Sequence, residues 1–415
     1  MKIHSQNGQA AITQLVLGIV CMVMIANLQY GWNLFVNPID KAHHWGRASI
    51  QVAFSLFVLA ETWLVPVESW FVDRFGPRIV VMLGGILVAL AWAIDSVAST
   101  LPVFYGAAVL SGIGAGAVYG TCVGNALKWF VGRRGLAAGM TAAGFGMGAA
   151  MTVVPIREVI AAHGYQSAFL WFGLGQGTVI LIVSLFLRAP RVQAAAIVTG
   201  PNAQTTRSFR PLETLKTPLF WVLYLMFVLV AAGGLVVTAG LASIAADYGV
   251  AESPLTIVGI TGTVLTLALV VDNVLNGLAR PFFGWVSDKI GREPTMFIAF
   301  MLCACSIGSL ALYGHNPMWF LISGGLIYFT WGEIYSLFPA TCGDSYGPQF
   351  AATNAGMLYT AKGTAALLVP LAAVYSKSGQ WNTVLLIGAA ANVVAALMAI
   401  LVLRPLRKAH QQTHG

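Results

Sequence analysis

The chain has 415 residues, of which 58% are hydrophobic and only 9% charged, with 22 Lys and Arg against 14 Asp and Glu and a mean hydropathy of +0.79. A soluble domain gives about a quarter of its residues to charge, so a water-soluble multidomain enzyme is excluded and a polytopic membrane protein remains. The net charge of +8 has to be read from its distribution before nucleic acid is considered.

A membrane-spanning helix takes about 20 apolar residues. In chain order, runs of that kind lie at 12–36, 51–72, 79–98, 102–126, 136–160, 166–188, 219–246, 255–284, 294–313, 317–340, 350–375 and 380–404. The polar start MKIHSQNGQA is followed by an apolar run too long for a signal-peptide core, which reads as a retained first span. Connections are short except at 189–217, a polar segment rich in Pro, Thr and Arg. The expected fold is therefore an all-α membrane protein of twelve transmembrane helices. A six-helix half (1–188), a cytoplasmic linker (189–217) and a second six-helix half (218–415) would make it up.

Lys and Arg collect on the cytoplasmic side of membrane proteins. With both termini placed there, 16 of the 22 fall on the cytoplasmic side and 4 (Lys41, Arg47, Arg157 and Lys377) outside. That bias accounts for the basic balance without nucleic acid.

An internal repeat supports the division into halves. VPVESWFVDRFGPR (65–78) aligns with RPFFGWVSDKIGRE (280–293), and GMTAAGFG (139–146) with GMLYTAKG (356–363), at offsets of 215 and 217. Many secondary transporters are duplicated in this way, with substrate held near the midplane between the repeats. Asp73, Arg74 and Gly76, with Asp288, Lys289 and Gly291, are expected to form tight cytoplasmic turns and a charge network that latches one conformation, away from substrate.

Arg280 and Lys362 lie inside spans. Arg280 precedes Asp288 by eight residues, about 12 Å along a helix, and Lys362 is about twelve residues from either end of its run. A cation at that depth costs at least a few kcal/mol and is a functional-site candidate, the alternative being a structural ion pair with a neighbouring helix. Their first-half counterparts are Val65 and Phe145, so both central cations belong to the second half and the first offers an apolar wall. Gln29, Tyr30, Trp32, Tyr119, Phe145, Trp331, Tyr335 and Tyr359 are expected around them. Aromatic walls lower the dielectric of such a cavity, and hydroxyl and indole N–H groups can donate to a carboxylate. Tyr359 lies three residues before Lys362, on nearly the same helical face.

Glu61, Glu68, Asp272 and Glu333 are acids within spans, able to neutralise a site cation; Asp272 and Glu333 are the candidates for a proton-linked role. Gly112, Gly116, Gly120 and Gly124 recur every four residues, the spacing that lets membrane helices approach closely. The five cysteines read as small buried hydrophobes with no metal spacing, and neither metal nor cofactor is expected.

At these residues the chain resembles the oxalate/formate antiporter group of the major facilitator superfamily. The resemblance runs through LQYGW (28–32), FVDRFGPR (71–78), VYG (118–120), RGLAAGMTAAG (134–144), RPFFGWVSDKIGR (280–292), FTWGEIYSLFP (329–339) and TAKGTA (360–365), and so covers both halves. It implies that Arg280 and Lys362 grip the two carboxylates of oxalate, with Tyr30, Trp32, Tyr119, Trp331 and Tyr335 around it. It also implies oxalate:formate exchange across a bacterial inner membrane, the substrates and the lipid being the partners. A monomer is expected. Phe145 stands where the group has a tyrosine, Tyr359 where it has a tryptophan, and Glu61, Asp272 and Glu333 where uncharged residues are expected. The alternatives are a proton-coupled monocarboxylate symporter and, from another class, a membrane sensor or membrane-bound enzyme, for which no catalytic triad, metal cluster or signalling domain speaks.

Overall fold

The computed structural model describes residues 2–130, 134–190, 205, 207–257, 259–347, 350–376 and 380–414. Most of the expected linker, 191–204 and 206, lies outside the described residues, as do Arg133 and Lys377.

In the first half, α1 (Lys2–Tyr30) passes through a turn at Gly31–Trp32 into α2 (Asn33–His43). Then come α3 (Arg47–Trp63), α4 (Val65–Asp95), α5 (Leu101–Trp129), α6 (Arg134–Gly148) and α7 (Val153–Ser184). The short α8 (Pro211–Leu215) precedes the second half. There α9 (Pro218–Asp247), α10 (Val264–Ile290) and α11 (Arg292–Tyr313) are followed by α12 (Pro317–Trp331) and α13 (Ile334–Tyr346). The chain ends with α14 (Ala351–Ala366), α15 (Leu368–Ser376), α16 (Trp381–Met398) and α17 (Arg404–His414).

Among the described residues ten helical stretches are long and apolar enough to cross a membrane. One, Leu136–Ser184, has 49 residues and turns at Gly164, where φ is 82° and ψ 162°, so it holds two spans. Another span, Pro317–Tyr346, is broken at Gly332–Glu333 into α12 and α13, each too short to cross alone. Twelve spans result, as the apolar runs predict. Large apolar side chains such as Leu83, Leu90, Trp171, Trp221 and Ile387 are exposed on the outside of the bundle, as a lipid-facing surface requires.

The repeat read from the sequence has a backbone counterpart. Gly76 (φ 78°, ψ 166°) and Gly291 (φ 98°, ψ 160°) adopt the same left-sided conformation at equivalent turns, and a side chain there would be strained. Asp288 pairs with Arg292 at 2.8 Å, and Arg292 also reaches Asp344 at 3.0 Å. Arg407 binds Glu293 at 2.7 Å and approaches Asp344 at 3.7 Å, so α10, α11, α13 and α17 meet in one charge cluster. Of the residues expected in a charge network, Asp288 takes part in this cluster, together with Arg292, Asp344, Glu293 and Arg407. Lys289 contributes differently: its Nζ lies 3.9 Å from the centroid of the Trp285 ring. The side chains of Asp73 and Arg74 lie outside the described residues.

One span begins later than the apolar run suggests. Residues Pro254–Ile257 and Ile260–Thr263 form an antiparallel hairpin, pairing Pro254 with Thr263 and Ile257 with Ile260. Pro254, the β-branched Thr256, Ile257, Ile260, Thr261 and Thr263, and Gly259 at φ 80° favour a hairpin over a helix despite their hydropathy. The helix starts only at Val264, where the Thr263 hydroxyl accepts from the Thr266 amide. Arg157 on α7 donates to Thr263 and Thr266 and pairs with Glu252 at 3.2 Å, tying the hairpin to the first half. Cys305, expected to be buried, is exposed.

The glycine repeat sets how closely α3 and α5 approach. A methyl group on Gly112 would come within 2.3 Å of the Phe57 carbonyl oxygen, and one on Gly116 within 2.6 Å of that of Glu61. Gly124 faces open space. Replacing Gly112 by Val should therefore destabilise the protein by about 1–3 kcal/mol through overpacking, whereas Gly124→Ala should not lower stability, since alanine is the better helix former. Thermal unfolding of the purified variants in detergent measures the contrast. Asp344→Ala should cost about 3–5 kcal/mol by leaving buried Arg292 and Arg407 without their shared carboxylate, with Asp344→Asn less severe in the same assay.

Candidate functional site

Five spans are interrupted part-way: at Gly31–Trp32, at Leu64, at 149–152, at Gly332–Glu333 and at Leu367. Broken backbone is tolerated at membrane depth where protein or a cavity surrounds it. Each break lies within five residues of Tyr30, Glu61, Phe145, Tyr335 or Lys362, so the irregular segments converge on one central region.

Arg280 on α10 and Lys362 on α14 are both 0% exposed. Arg280 donates from Nη1 to the Ala142 carbonyl (2.7 Å) and from Nη2 to the Tyr30 hydroxyl (3.1 Å) and Asn276 Oδ1 (3.0 Å). These partners are all neutral, and among the described residues no carboxylate pairs with it. Its Nε has no hydrogen-bond partner among them either.

Lys362 is placed differently. Its Nζ donates to Glu61 Oε2 at 2.7 Å, to Gln29 Oε1 at 2.8 Å and to the Tyr359 hydroxyl at 3.1 Å. An ammonium has three protons, so its donors are all in use. The Glu61–Lys362 pair links α3 of the first half to α14 of the second, both side chains being 0% exposed.

Two rings join the cations. The Phe145 centroid is 5.9 Å from the Arg280 guanidinium carbon and 5.6 Å from Lys362 Nζ. The Tyr335 centroid is 4.5 Å and 5.4 Å from the same two groups. Both cations thus face the same pair of π-surfaces, which partly compensates their burial. Tyr119 stacks on Tyr359 (5.3 Å, 8° between planes) and meets Phe145 edge-on, and Tyr30 also packs on Phe145, at 5.3 Å.

Of the residues singled out in the sequence, Arg280, Lys362, Gln29, Tyr30, Tyr119, Phe145, Tyr335 and Tyr359 are brought together. Trp331 flanks them: its ring packs at 5.5 Å on Tyr335, and its indole nitrogen faces Gly234 on α9 so closely that a methyl there would come within 2.2 Å. Trp32 is placed elsewhere. It donates to Gln51 at 3.1 Å and stacks on Phe104 at 5.9 Å, away from the cation pair's own contacts. Asp272 and Glu333 are fully buried, but their carboxylates have no hydrogen-bond partner among the described residues and touch neither cation. Asp272 faces Gly324 on α12, where an added methyl would lie 3.2 Å from either carboxylate oxygen. The acid that reaches a cation is Glu61. It stood among four intramembrane acids in the sequence, and no local spacing could have paired it with a lysine 301 residues away. Asn276, one turn before Arg280, is a second contributor without a sequence signal beyond that spacing.

The halves also meet on either side of this centre. Towards one face, Asn33 donates to the Thr238 carbonyl, Gln51 to that of Ala239 (2.7 Å), and Arg47 pairs with Asp247 (3.2 Å). Towards the other, α6 packs on α10 at Gly139 against Pro281, and α4 meets α14 where Val65 touches Gly356. Contacts above and below close the cation pair from both directions.

A family model described as Major Facilitator Superfamily matches residues 17–370 and 258–415. The oxalate:formate antiporter of Oxalobacter formigenes is 36% identical over 402 residues, covering 95% of this chain and 93% of that protein. An uncharacterized 38 kDa protein of Thermoproteus tenax is 30% identical over 388 residues, 93% of this chain and 94% of its own length. Human monocarboxylate transporter 11 is 30% identical over 137 residues, 32% of this chain and 29% of that protein. With the twelve-span helical fold, the repeated glycine turns and a charged centre between the halves, the chain is a multi-pass membrane transporter belonging to the major facilitator superfamily.

Proposed function

We propose that this transporter exchanges oxalate for formate across the bacterial inner membrane by alternating access. Residues 1–188 and 218–415 are the two moving bodies, 189–217 is their cytoplasmic linker, and both termini lie in the cytoplasm. It works as a monomer in the lipid bilayer. The observation that carries this reading is the pair of buried cations sharing the Phe145 and Tyr335 rings between the two halves. Small carboxylates fit such a centre, because a guanidinium and an ammonium each bind carboxylate oxygens through charge-assisted hydrogen bonds. The similarity to the Oxalobacter antiporter, nearly end to end, supports the substrate pair.

Arg280 is the primary anchor in this reading. It already holds Tyr30, Asn276 and the Ala142 carbonyl, which fix its orientation, and it keeps an unused Nε–H for a ligand oxygen. Lys362 is the second anchor, and Gln29, Tyr30, Tyr119, Tyr335 and Tyr359 close around the anion. Trp331 stiffens Tyr335 from behind. Asp73, Arg74, Gly76, Asp288, Lys289 and Gly291 serve the gate on the cytoplasmic side.

A second reading is proton-coupled monocarboxylate symport, favoured by one observation: Glu61 on Lys362 leaves the centre with a single net positive charge. Counterflow separates the two. In proteoliposomes, internal formate should accelerate entry of labelled oxalate; if it does not, and a pH gradient drives monocarboxylate uptake instead, exchange is the wrong reading. Arg280→Ala and Lys362→Ala should each lower oxalate flux roughly 10- to 150-fold, the effect of about 1.5–3 kcal/mol for a lost charged hydrogen bond. Lys41→Ala, which removes an exposed cation near the end of α2 that contacts neither Arg280 nor Lys362 among the described residues, should leave it unchanged.

A further inference from the structure

We infer that Glu61 is a built-in competitor for the substrate on Lys362, and that a proton travels with a dianion but not with a monoanion. The inference rests on the exchange reading above and adds a coupling ion to it.

The geometry distinguishes the two anchors. Arg280 has an Nε–H without a partner among the described residues, so a carboxylate can bond it without replacing any of the hydrogen bonds that Arg280 already makes. Lys362 has no spare proton: Glu61, Gln29 and Tyr359 take all three. A monoanion therefore binds Arg280 while the Glu61–Lys362 pair stays intact. A dianion that also uses Lys362 has to displace one of its partners, and Glu61 is the one that a second substrate carboxylate replaces in kind.

Charge balance then selects the proton. Arg280, Lys362 and ionised Glu61 carry one net positive charge, which a monoanion cancels. With a dianion the same three groups leave one negative charge uncompensated in a buried centre, a costly arrangement. A proton on the displaced Glu61 carboxylate restores neutrality: two cations, one dianion and a neutral acid. The displaced carboxyl has room to hold it, since Glu61 Oε1 has no partner among the described residues.

The groups around Glu61 are few. Lys362 and Tyr359 face it from α14, Gln29 and Tyr30 from α1, Tyr119 from α5 and Tyr335 from α13. From α4 comes Glu68, a buried acid whose carboxylate sits against Gly116, the same glycine that the Glu61 backbone touches. The Glu68 backbone is seven residues further along, about 10 Å towards the Asp73–Gly76 turn, but its carboxylate reaches back to Gly116 beside Glu61 and bonds neither Lys362 nor Arg280 among the described residues. Asp40, Lys41 and His43 of α2 follow the site by about ten residues or more and lie with the opposite end of α3. Among these, Glu61 alone is both acidic and bonded to a substrate anchor.

In transport terms, an oxalate dianion enters with one proton on Glu61 and both leave to the cytoplasm. Glu61 then returns to Lys362, and a formate monoanion leaves on Arg280. One net negative charge moves in each direction, so the exchange is electroneutral and carries one proton inward per turnover.

Proteoliposomes with a trapped pH-sensitive dye and an imposed potassium diffusion potential test this. For the wild-type protein, one proton should enter per oxalate, and the exchange rate should not respond to the potential. Oxalate affinity should fall about tenfold per pH unit on the alkaline side, the slope of one linked proton. Glu61→Gln, which keeps an acceptor for Lys362, should abolish proton entry, flatten the pH dependence and make exchange respond to the potential. Potential-driven, proton-free exchange by the wild-type protein overturns the proposal, as does an unchanged pH dependence in Glu61→Gln. Should that variant not reconstitute, the dye signal of the wild-type protein decides alone. Absence of oxalate:formate counterflow sinks the exchange reading instead; the same dye signal with whichever dicarboxylate does exchange then judges Glu61. If no dicarboxylate moves, both fall.

Discussion

Two fully buried cations are the constraint around which this protein is organised. A lysine or arginine in the middle of a bilayer is unfavourable by several kcal/mol unless its charge is met. The structure meets the two charges in different ways. Lys362 has an ionic partner and two neutral acceptors, whereas Arg280 has only neutral acceptors and the faces of two rings. That asymmetry separates a cation whose charge is already met from one that has only neutral partners among the described residues.

The remaining architecture follows from bringing those groups together. Lys362 and Arg280 come from the second half, Glu61, Gln29, Tyr30, Tyr119 and Phe145 from the first, so the centre exists only where the halves meet. The glycines of α5 bring its backbone against α3 at the level of Glu61. Interruptions in five spans let side chains from neighbouring turns point inward where a continuous helix would carry them past. Small residues and broken helices therefore serve the same end as the charges: they bring the halves close enough for side chains of both to meet the two cations.

Much of this was legible in the sequence, for identifiable reasons. Hydropathy locates a span because a bilayer demands length, and it found twelve. It failed at 255–263 because hydropathy ignores backbone preference, and Pro, Gly and β-branched residues there make a hairpin. The cation pair was visible because charge is so rare inside the spans. Which acid would face it was not: Glu61 and Lys362 are 301 residues apart, and only the packing of α3 against α14 joins them. Trp32 shows that closeness in sequence does not decide where a side chain goes. It sits two residues from Tyr30, but the chain turns at Gly31–Trp32, so the indole goes to Gln51 and Phe104 while Tyr30 goes to Arg280.

The Glu61 pair also changes what obligatory exchange can rest on. A doubly positive empty centre would resist reorientation, and that argument alone could explain why a carrier returns only when loaded. With Lys362 neutralised by Glu61, the empty centre carries one positive charge instead of two. Reorientation then hinges on Arg280, which has no ionic partner among the described residues and which a single carboxylate suffices to neutralise. Under the proposed exchange, a monoanion is the smallest ligand that permits the return, and the dianion is the ligand that must first dislodge the protein's own carboxylate. Under the proposed exchange, selectivity between the two anions therefore rests on competition for one ammonium group.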